Sequence, residues 1–263
     1  MGLMQNVNDI PAPLFAISLF CALLIAIEAG FRTGRKMDFE SWDNISSAFF
    51  SISGATLALL GLLLAFSFSM GVTRYEARKL VILKEANAIG TAWLRADFLQ
   101  PGQSQAVKKL LGEYLTSRLA YHDSAAESVK SEILINDAQG IQARIWAVAS
   151  EMGNYREPVQ NTYFSSLTSA VIDMGTIRNE RRYAIENQVP SSVIALLVIL
   201  TLQAAALAGF AFGANQRRLR LALIGFPLLL SLVIYTILDL DRPTQGWIVV
   251  DQTPMLALEA SIR

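Results

Sequence analysis

Charged side chains are absent from four long stretches of the chain. No Asp, Glu, Lys or Arg occurs in residues 10–27, 44–73, 187–216 and 221–238, which together hold 96 of the 263 residues. A helix needs about 20 mostly apolar residues to cross a hydrocarbon core of about 30 Å, and lipid requires the backbone polar groups to be satisfied within the segment. The pattern therefore predicts four transmembrane helices: Pro13–Phe31, Ser46–Val72, Pro190–Gly213 and Leu219–Leu238.

The segment between the second and third predicted spans has the composition of a soluble protein. Residues 73–188 carry 14 basic and 13 acidic side chains and show helical patterning throughout. The second span continues without a proline to about Leu99, after which Pro101-Gly102 breaks the chain. Helices are then predicted for Gln105–His122 with Ser104 as the N-cap, from Ser124 to about Met152, and for Pro158–Asn187.

These elements predict an all-α membrane protein. Two transmembrane hairpins, 1–72 and 189–240, flank an extramembrane helical bundle, 73–188, that is continuous with the second and third spans. Residues 241–263 form a C-terminal tail. The chain is predicted to be an integral membrane protein with the lipid bilayer as its partner.

Composition excludes several classes of function. The 22 basic and 22 acidic side chains cancel, so no excess positive charge favours nucleic acid as a partner. One cysteine and one histidine argue against a disulfide framework and against a His/Cys metal site. Neither a phosphate-binding glycine loop nor a nucleophile elbow occurs. We therefore expect no catalytic residues, no metal, no cofactor and no enzymatic activity.

Small residues form one stripe along the second predicted span. Helices in lipid associate where small side chains let their backbones approach closely. The sequence therefore predicts a helix-packing seam, with Gly54, Ala58, Gly61 and Ala65 at its centre and Ser47, Ser51 and Ser69 at its ends.

A second stripe, interpreted as lying beside the first, is polar at both ends and apolar in the middle. If several copies of this helix surround an axis, hydroxyl groups line a pore and two leucines form its constriction. The predicted pore-lining residues are Ser53, Thr56, Leu60, Leu63, Ser67 and Arg74. The alternative is that the hydroxyls bond only to their own helix backbone. Lys84 and Arg95 continue the stripe and favour anions.

Three acidic residues lie at predicted membrane boundaries and are candidates for an ion site or an ion pair. Glu28 precedes Arg32 by four residues, which favours a pair on the helix surface, although an acid in the membrane can also serve an ion-coupled transporter. Asp239 and Asp241 follow the fourth span in what we interpret as an extended exit. They are expected to bind a cation or to pair with Arg74, Arg78 or Arg182.

Two motifs resemble the bacterial bestrophin-like proteins of unknown function. One is the run from Glu85 to Asp97, E-A-N-A-I-G-T-A-W-L-R-A-D, following a span that ends L-L-L-A-F-S-F-S. The other is L-D-L-D-R-P at 238–243, followed by Gly246. The resemblance covers both hairpins and their flanks, whereas residues of about 101–175 match only in being helical.

Kinship with bestrophins implies a pentameric, mainly anion-conducting channel whose second helix lines an apolar neck. It places Leu60, Leu63 and Phe49 at a constriction and the 73–188 bundle in the cytoplasm, with the protein in the bacterial inner (plasma) membrane. The positive-inside rule does not decide the sidedness, because basic clusters flank both membrane faces. We therefore expect a homo-oligomeric channel for small inorganic ions. A non-conducting scaffold or sensor, whose bundle binds another protein, is the alternative.

Overall fold

The computed structural model describes residues 11–37, 39–124, 128–152, 158–216, 220–242 and 246–263. Over these residues the chain forms eight α-helices and no β-strand, so the predicted all-α fold is confirmed. The helices are α1 (Ala12–Gly34), α2 (Phe39–Ala96), α3 (Pro101–Ser124), α4 (Ser128–Met152), α5 (Pro158–Glu186), α6 (Ser191–Ala214), α7 (Arg220–Asp241) and α8 (Thr253–Ile262).

Within the described residues, four segments are long and apolar enough to cross a membrane, as the sequence predicts. They lie in Ala12–Gly34, Trp42–Ala96, Thr162–Ala214 and Leu223–Asp241, and their apolar windows have mean hydropathies of 2.3, 2.1, 2.4 and 2.2. In the third segment, residues 187–190 are not helical and separate α5 from the apolar α6. Pro190 is the residue before α6. Since proline disfavours helical geometry in the residue that precedes it, α6 does not extend back to Val189. Leu219, the predicted start of the fourth span, lies outside the described residues.

Helix α2 is much longer than a membrane is thick. Its 58 residues contain no proline, and at 1.5 Å per residue they extend for about 87 Å. Only the charge-free part, 44–73, is suited to lipid. The remainder carries ordinary charged residues and ends at Ala96, three residues before the predicted end.

The chain divides into two compact units. The membrane unit consists of Met1–Arg74 with Gln188–Arg242, and the bundle unit consists of Tyr75–Asn187 with Pro243–Arg263. In the membrane unit, α1 packs most extensively on α6 and next on α7. In the bundle unit, α3 packs on α4 and α4 on α5 around a core that includes Ile89, Leu111, Ile145 and Met174.

Four glycines bring α1 and α6 into backbone contact. Gly30 and Gly34 form one G-x-x-x-G pair, and Gly209 and Gly213 form another. A Cβ atom on any of them would overlap a carbonyl oxygen of the opposite helix, at Ala206, Phe210, Ile27 and Phe31 respectively. In these contacts the residue numbers on α6 increase as those on α1 increase, so the two helices run parallel. Close approach of this kind is how helices associate in lipid.

Two helix starts in the bundle unit differ from the sequence prediction. Ser124, where the prediction began a helix, is the last residue of α3, and α4 begins at Ser128. Helix α3 begins at Pro101, so Ser104 lies inside it rather than at its N-cap. The Ser104 amide donates to the carbonyl of Gln100 at 2.8 Å. Proline fits the first helical position, where its missing N–H is not needed, and the predicted breaking residue therefore starts the helix.

Candidate pore helix and boundary charges

The predicted pore-lining stripe of α2 faces the interior of the membrane unit. Thr56, Leu60 and Ser67 are 9%, 2% and 1% exposed, and Ser53 and Leu63 are half-buried. Leu60 belongs to an apolar core shared with α1, α6 and α7. A side chain packed this closely in one chain does not meet water in a pore unless the helices repack. The role of these residues in lining a pore therefore stays a prediction.

The small-residue stripe of α2 is exposed along its whole length. This stripe, called the small-residue face below, consists of Ser47, Ser51, Gly54, Ala58, Gly61, Ala65 and Ser69, each of which is exposed. A Cβ atom built on Gly54 or Gly61 would meet nothing within 4 Å. Because one stripe is buried and the other is open, they lie on different sides of α2. Our interpretation that they are neighbours is wrong.

Large apolar side chains border the small-residue face on both sides. By the 100° step of a helix, Phe50, Leu57 and Phe68 follow one edge, and Leu62 and Phe66 follow the other. These five side chains are between 44% and 61% exposed. The face is therefore a shallow groove of small residues between two apolar ridges. It has hydroxyl groups at its ends and only Gly and Ala in the middle.

Asp241 joins three segments at the boundary of the membrane unit. Its Oδ1 lies 3.5 Å from the guanidinium of Arg74 on α2, and its Oδ2 accepts the Val189 amide at 2.8 Å. Val189 lies two residues before α6, at whose N-terminus a negative charge is favoured by the helix dipole. The predicted pairing with Arg74 is therefore present.

The two aspartates do not lie in an extended exit. Helix α7 continues through Asp241, and Asp239 is 1% exposed. Asp239 and Asp241 are thus in the last turn of a helix. The interpretation of an extended exit is therefore wrong, and the two side chains, two positions apart on a helix, point in different directions.

The other predicted arginine partners make contacts within the bundle unit. Arg78 donates to the carbonyls of Ala184 and Asn187 at 3.0 and 3.4 Å, and Arg182 donates to Glu186 at 2.7 Å. The continuation of the pore stripe is also engaged, since Lys84 pairs with Glu180 at 3.3 Å and Arg95 donates to the carbonyl of Ser166 at 2.6 Å.

Glu28 forms a pair on the helix surface. Its carboxylate accepts from Arg32 Nε at 2.9 Å, and the two side chains are 43% and 75% exposed. Exposed pairs of this spacing contribute little to stability. This geometry matches the pair that the spacing favours and lends no support to a transporter role.

A charged cluster that we did not predict lies in the core of the bundle unit. Glu85 on α2 is fully buried and accepts from Arg118 on α3 and Arg181 on α5, both at 2.6 Å. Arg181 also donates to Gln252, which precedes α8, at 3.3 Å. Burial alone would raise the pKa of the Glu85 carboxyl, but Arg181 and Arg118 outweigh it and lower the pKa. The cluster thus holds four segments together.

The sequence contains signals for two features that we did not predict: the charged cluster around Glu85 and the glycine contacts between α1 and α6. Glu85 falls in the spacing Ile82, Glu85, Ile89, Ala92 and Ala96, which places an acid on an apolar helix face. A buried acid needs a cationic partner, and the helix pattern alone does not say which arginine supplies it. The glycine contacts of α1 and α6 are likewise visible as two G-x-x-x-G motifs.

These features define the class of the protein: an all-helical integral membrane protein with four candidate spans and one helix that extends far beyond the bilayer. The family model of the Bestrophin-like domain matches residues 14–255, and the chain belongs to this family. The predicted resemblance is confirmed. At a coarse level the family indicates an ion-channel kind of function. Comparisons with curated proteins and with solved structures gave no significant match.

Proposed function

We propose that the protein is a homo-oligomeric ion channel whose pore is lined by α2. The observation that carries the proposal is the small-residue face of α2, which one chain leaves uncovered across the membrane unit. Membership of the Bestrophin-like domain family supports the same class of function. Five copies and a preference for anions are the expectations that the resemblance to bestrophins adds.

In the proposed assembly, the small-residue face is directed toward the central axis. Serines at 47, 51 and 69 would offer hydroxyl groups to hydrated ions at the two ends, and the Gly and Ala positions would form an apolar middle. Hydrophobic constrictions gate ion flow by dewetting. Small side chains leave the width of such a pore to be set by the spacing of the helix backbones.

The proposal transfers the pore from the stripe predicted by sequence to the opposite side of α2. Leu60 and Ser67 would then stabilise the protomer, because they pack against its other helices or lie buried among them. The ridges that border the small-residue face would contact neighbouring copies or lipid. Arg74, Lys84 and Arg95 have partners within the chain, so a preference for anions does not rest on them.

Conduction is tested with the purified protein in planar bilayers. We expect unitary currents that persist in symmetric potassium chloride, and a reversal potential in a salt gradient that follows chloride. A reversal potential that follows potassium would contradict the anion preference while leaving the channel intact. Silent bilayers over a range of salts and voltages would contradict the channel and favour the scaffold or sensor.

The pore face is tested by cysteine accessibility in a Cys21→Ser background. A charged thiol reagent reacts with thiolates that meet water. We therefore expect modification of Ala58→Cys and Ala65→Cys to remove most of the current, whereas Leu60→Cys and Ser67→Cys stay unmodified. The opposite pattern, with Leu60→Cys modified and Ala65→Cys inert, would return the pore to the stripe predicted from sequence.

A packing role for the small-residue face gives a different result. If the face is a seam between two copies, Gly54→Cys and Gly61→Cys form disulfides between chains under oxidation, and neither Ala58→Cys nor Ala65→Cys affects the current. Leu62→Cys, on the neighbouring ridge, is the matched control for the crosslinks. Efficient crosslinking at both glycines and none at position 62, together with a current that the reagent leaves unchanged in Ala58→Cys and Ala65→Cys, would overturn the proposed pore face.

A further inference from the structure

A small polar cleft opens in the bundle unit between α3, α4 and α5. Three arginines line it: Arg118 comes from α3, and Arg178 and Arg182 come from α5. The other described side chains of its wall are uncharged and include Tyr121 and Gln139. Because this described wall contains neither Asp nor Glu, the cleft collects positive charge within a unit whose charges are otherwise nearly balanced.

The carboxylate that pairs with Arg118 does not balance the charge around it. Glu85 accepts from Arg118 and from Arg181, both at 2.6 Å, so one negative charge faces two positive ones. The three side chains are at most 4% exposed. A buried charge without a counterion is strongly unfavourable. Among the described ion pairs, this cluster therefore has an excess of one positive charge.

Arg178 adds a second positive charge, and no described carboxylate pairs with it. Its Nη1 atom donates to the Oε1 atom of Gln142 at 2.6 Å, and this amide carries no charge. Arg182, in contrast, pairs with Glu186 at 2.7 Å on the exposed surface. The unbalanced charges at the cleft thus belong to Arg118 and Arg178.

Tyr121 helps to fix the guanidinium of Arg118 in the wall of the cleft. The guanidinium carbon of Arg118 lies 4.9 Å from the centre of the Tyr121 ring, and that of Arg181 lies 5.8 Å from it. A guanidinium near an aromatic ring is attracted to it, so Arg118 is held by a carboxylate and by a ring. A group that is already fixed loses little conformational entropy when it binds a ligand.

Two buried hydrogen-bond donors of the bundle core have no acceptor in the described part of the chain. They are the hydroxyl of Tyr114, one turn before Arg118 on α3, and the amide nitrogen of Gln252, whose oxygen accepts from Arg181. Burial raises the pKa of Tyr114, and Glu85 raises it further, so the phenol keeps its proton. A buried donor needs an acceptor. The surroundings of Glu85 thus contain too few acceptors as well as too few negative charges.

The size of the cleft limits what it can hold. Its volume is about 10 Å³, near the minimum that accommodates one water molecule. A monatomic anion suits this space, whereas a polyatomic anion such as phosphate needs more room. Chloride is the abundant monatomic anion of aqueous solutions, and it accepts hydrogen bonds from any direction.

We propose that the cleft is a binding site for one chloride ion, held by the guanidinium groups of Arg118 and Arg178. The ion would supply the negative charge that Glu85 alone does not provide. Because Glu85 and its two arginines join α2, α3 and α5, a bound chloride would stabilise the bundle unit. The proposal does not depend on ion conduction.

Hydrogen exchange of the full-length protein in detergent tests the site. Peptides from residues 75–187 are compared in sodium chloride and in sodium gluconate at the same ionic strength, since gluconate is too large for the cleft. We expect exchange to be at least about fivefold slower in chloride, the effect of a ligand at four times its Kd. Equal exchange rates in the two salts would overturn the proposal.

A pair of arginine variants assigns the effect to the cleft. Arg178→Gln removes one charge from the wall and should abolish the difference between the two salts. Arg144→Gln is the matched control, because Arg144 is 62% exposed, pairs with Glu113 and does not line the cleft, so this variant should keep the difference. Each variant is compared with itself, so a loss of stability common to both salts cancels. A salt difference that persists in Arg178→Gln would exclude the cleft.

Gln139→Glu places a negative charge in the wall of the cleft without any added ion. If chloride acts by balancing Arg118 and Arg178, this carboxylate takes over its role. We therefore expect exchange in Gln139→Glu to be slow in gluconate as well as in chloride. A full dependence on chloride in this variant would contradict the proposed role of the ion.

Bromide locates the ion directly, because it is monatomic and scatters X-rays anomalously. Crystals of the full-length protein grown in sodium bromide should show an anomalous peak in the cleft beside Arg118 and Arg178. The same peak should be missing from crystals of Arg178→Gln. Anomalous peaks at exposed arginines with none in the cleft would overturn the proposal.

Discussion

Gly209→Ala should destabilise the membrane unit by about 3 kcal/mol, at the upper end of the cost of overpacking. The added Cβ would overlap the carbonyl oxygen of Ile27, which is backbone and not the movable end of a side chain. The two helices must therefore separate along the whole G-x-x-x-G contact. For a chain of this size the melting temperature should fall by roughly 6–12 °C, as measured by differential scanning fluorimetry in detergent.

The matched control for this prediction is Gly225→Ala on α7. A Cβ atom at Gly225 would meet nothing within 4 Å, and alanine is favoured over glycine in a helix by up to about 1 kcal/mol. This variant should therefore be neutral or slightly more stable. Equal destabilisation by both substitutions would show that the loss comes from the helix backbone and not from the contact between α1 and α6.

Glu85→Gln should destabilise the bundle unit by about 3–5 kcal/mol, the usual cost of breaking a buried ion pair by removing one partner. The substitution leaves Arg118 and Arg181 buried, at 2% and 4% exposure, without a counterion. Hydrogen exchange of peptides from residues 75–187 should accelerate by roughly a hundredfold or more, since each 1.4 kcal/mol is a factor of ten.

An exposed ion pair between α2 and α5 is the control for the Glu85 substitution. Lys84 and Glu180 are 48% and 44% exposed, and their pair should contribute at most about 1 kcal/mol. Glu180→Gln should therefore change hydrogen exchange by less than about tenfold. Similar effects of Glu85→Gln and Glu180→Gln would contradict the importance of burial for the cluster.

The same cluster predicts the direction of the pH dependence. Because the folded state lowers the pKa of Glu85 below its ordinary value of 4.5, the unfolded chain binds the proton more tightly. The stabilisation is therefore complete above that value and is lost as the pH falls through the lower pKa of the folded state. Protection of residues 75–187 should decrease with acid in the wild-type protein, and Glu85→Gln should remove this part of the dependence.

Much of the architecture is predictable from the sequence because each prediction rests on a local property. The four charge-free stretches identify the candidate spans, since the cost of placing charges in lipid is summed over one segment. The absence of proline between residues 39 and 96 predicts that the second span continues as a helix beyond the bilayer. Pro190 likewise indicates where the third span begins.

The sequence alone does not show which face of α2 is buried and which is exposed. In a soluble protein, the apolar face of a helix is the buried one, but in lipid an apolar side chain is equally suited to the bilayer and to a neighbouring helix. Leu60 in the core and Leu62 at the surface are therefore the same residue type in different environments. The prediction of the pore-lining stripe needed to know which apolar side chains pack against other helices, and the sequence does not provide this.

The sequence by itself indicated a helical membrane protein of the Bestrophin-like domain family, with four candidate spans and an extended second helix. The tertiary structure alone decided which face of α2 is open, that α1 pairs with α6, and that Asp241 binds Arg74 and the start of α6. It also decided that Glu85 has two buried arginines as partners. The physical reason is that insertion into lipid depends on each segment separately, whereas packing and charge pairing depend on residues that are distant in the sequence.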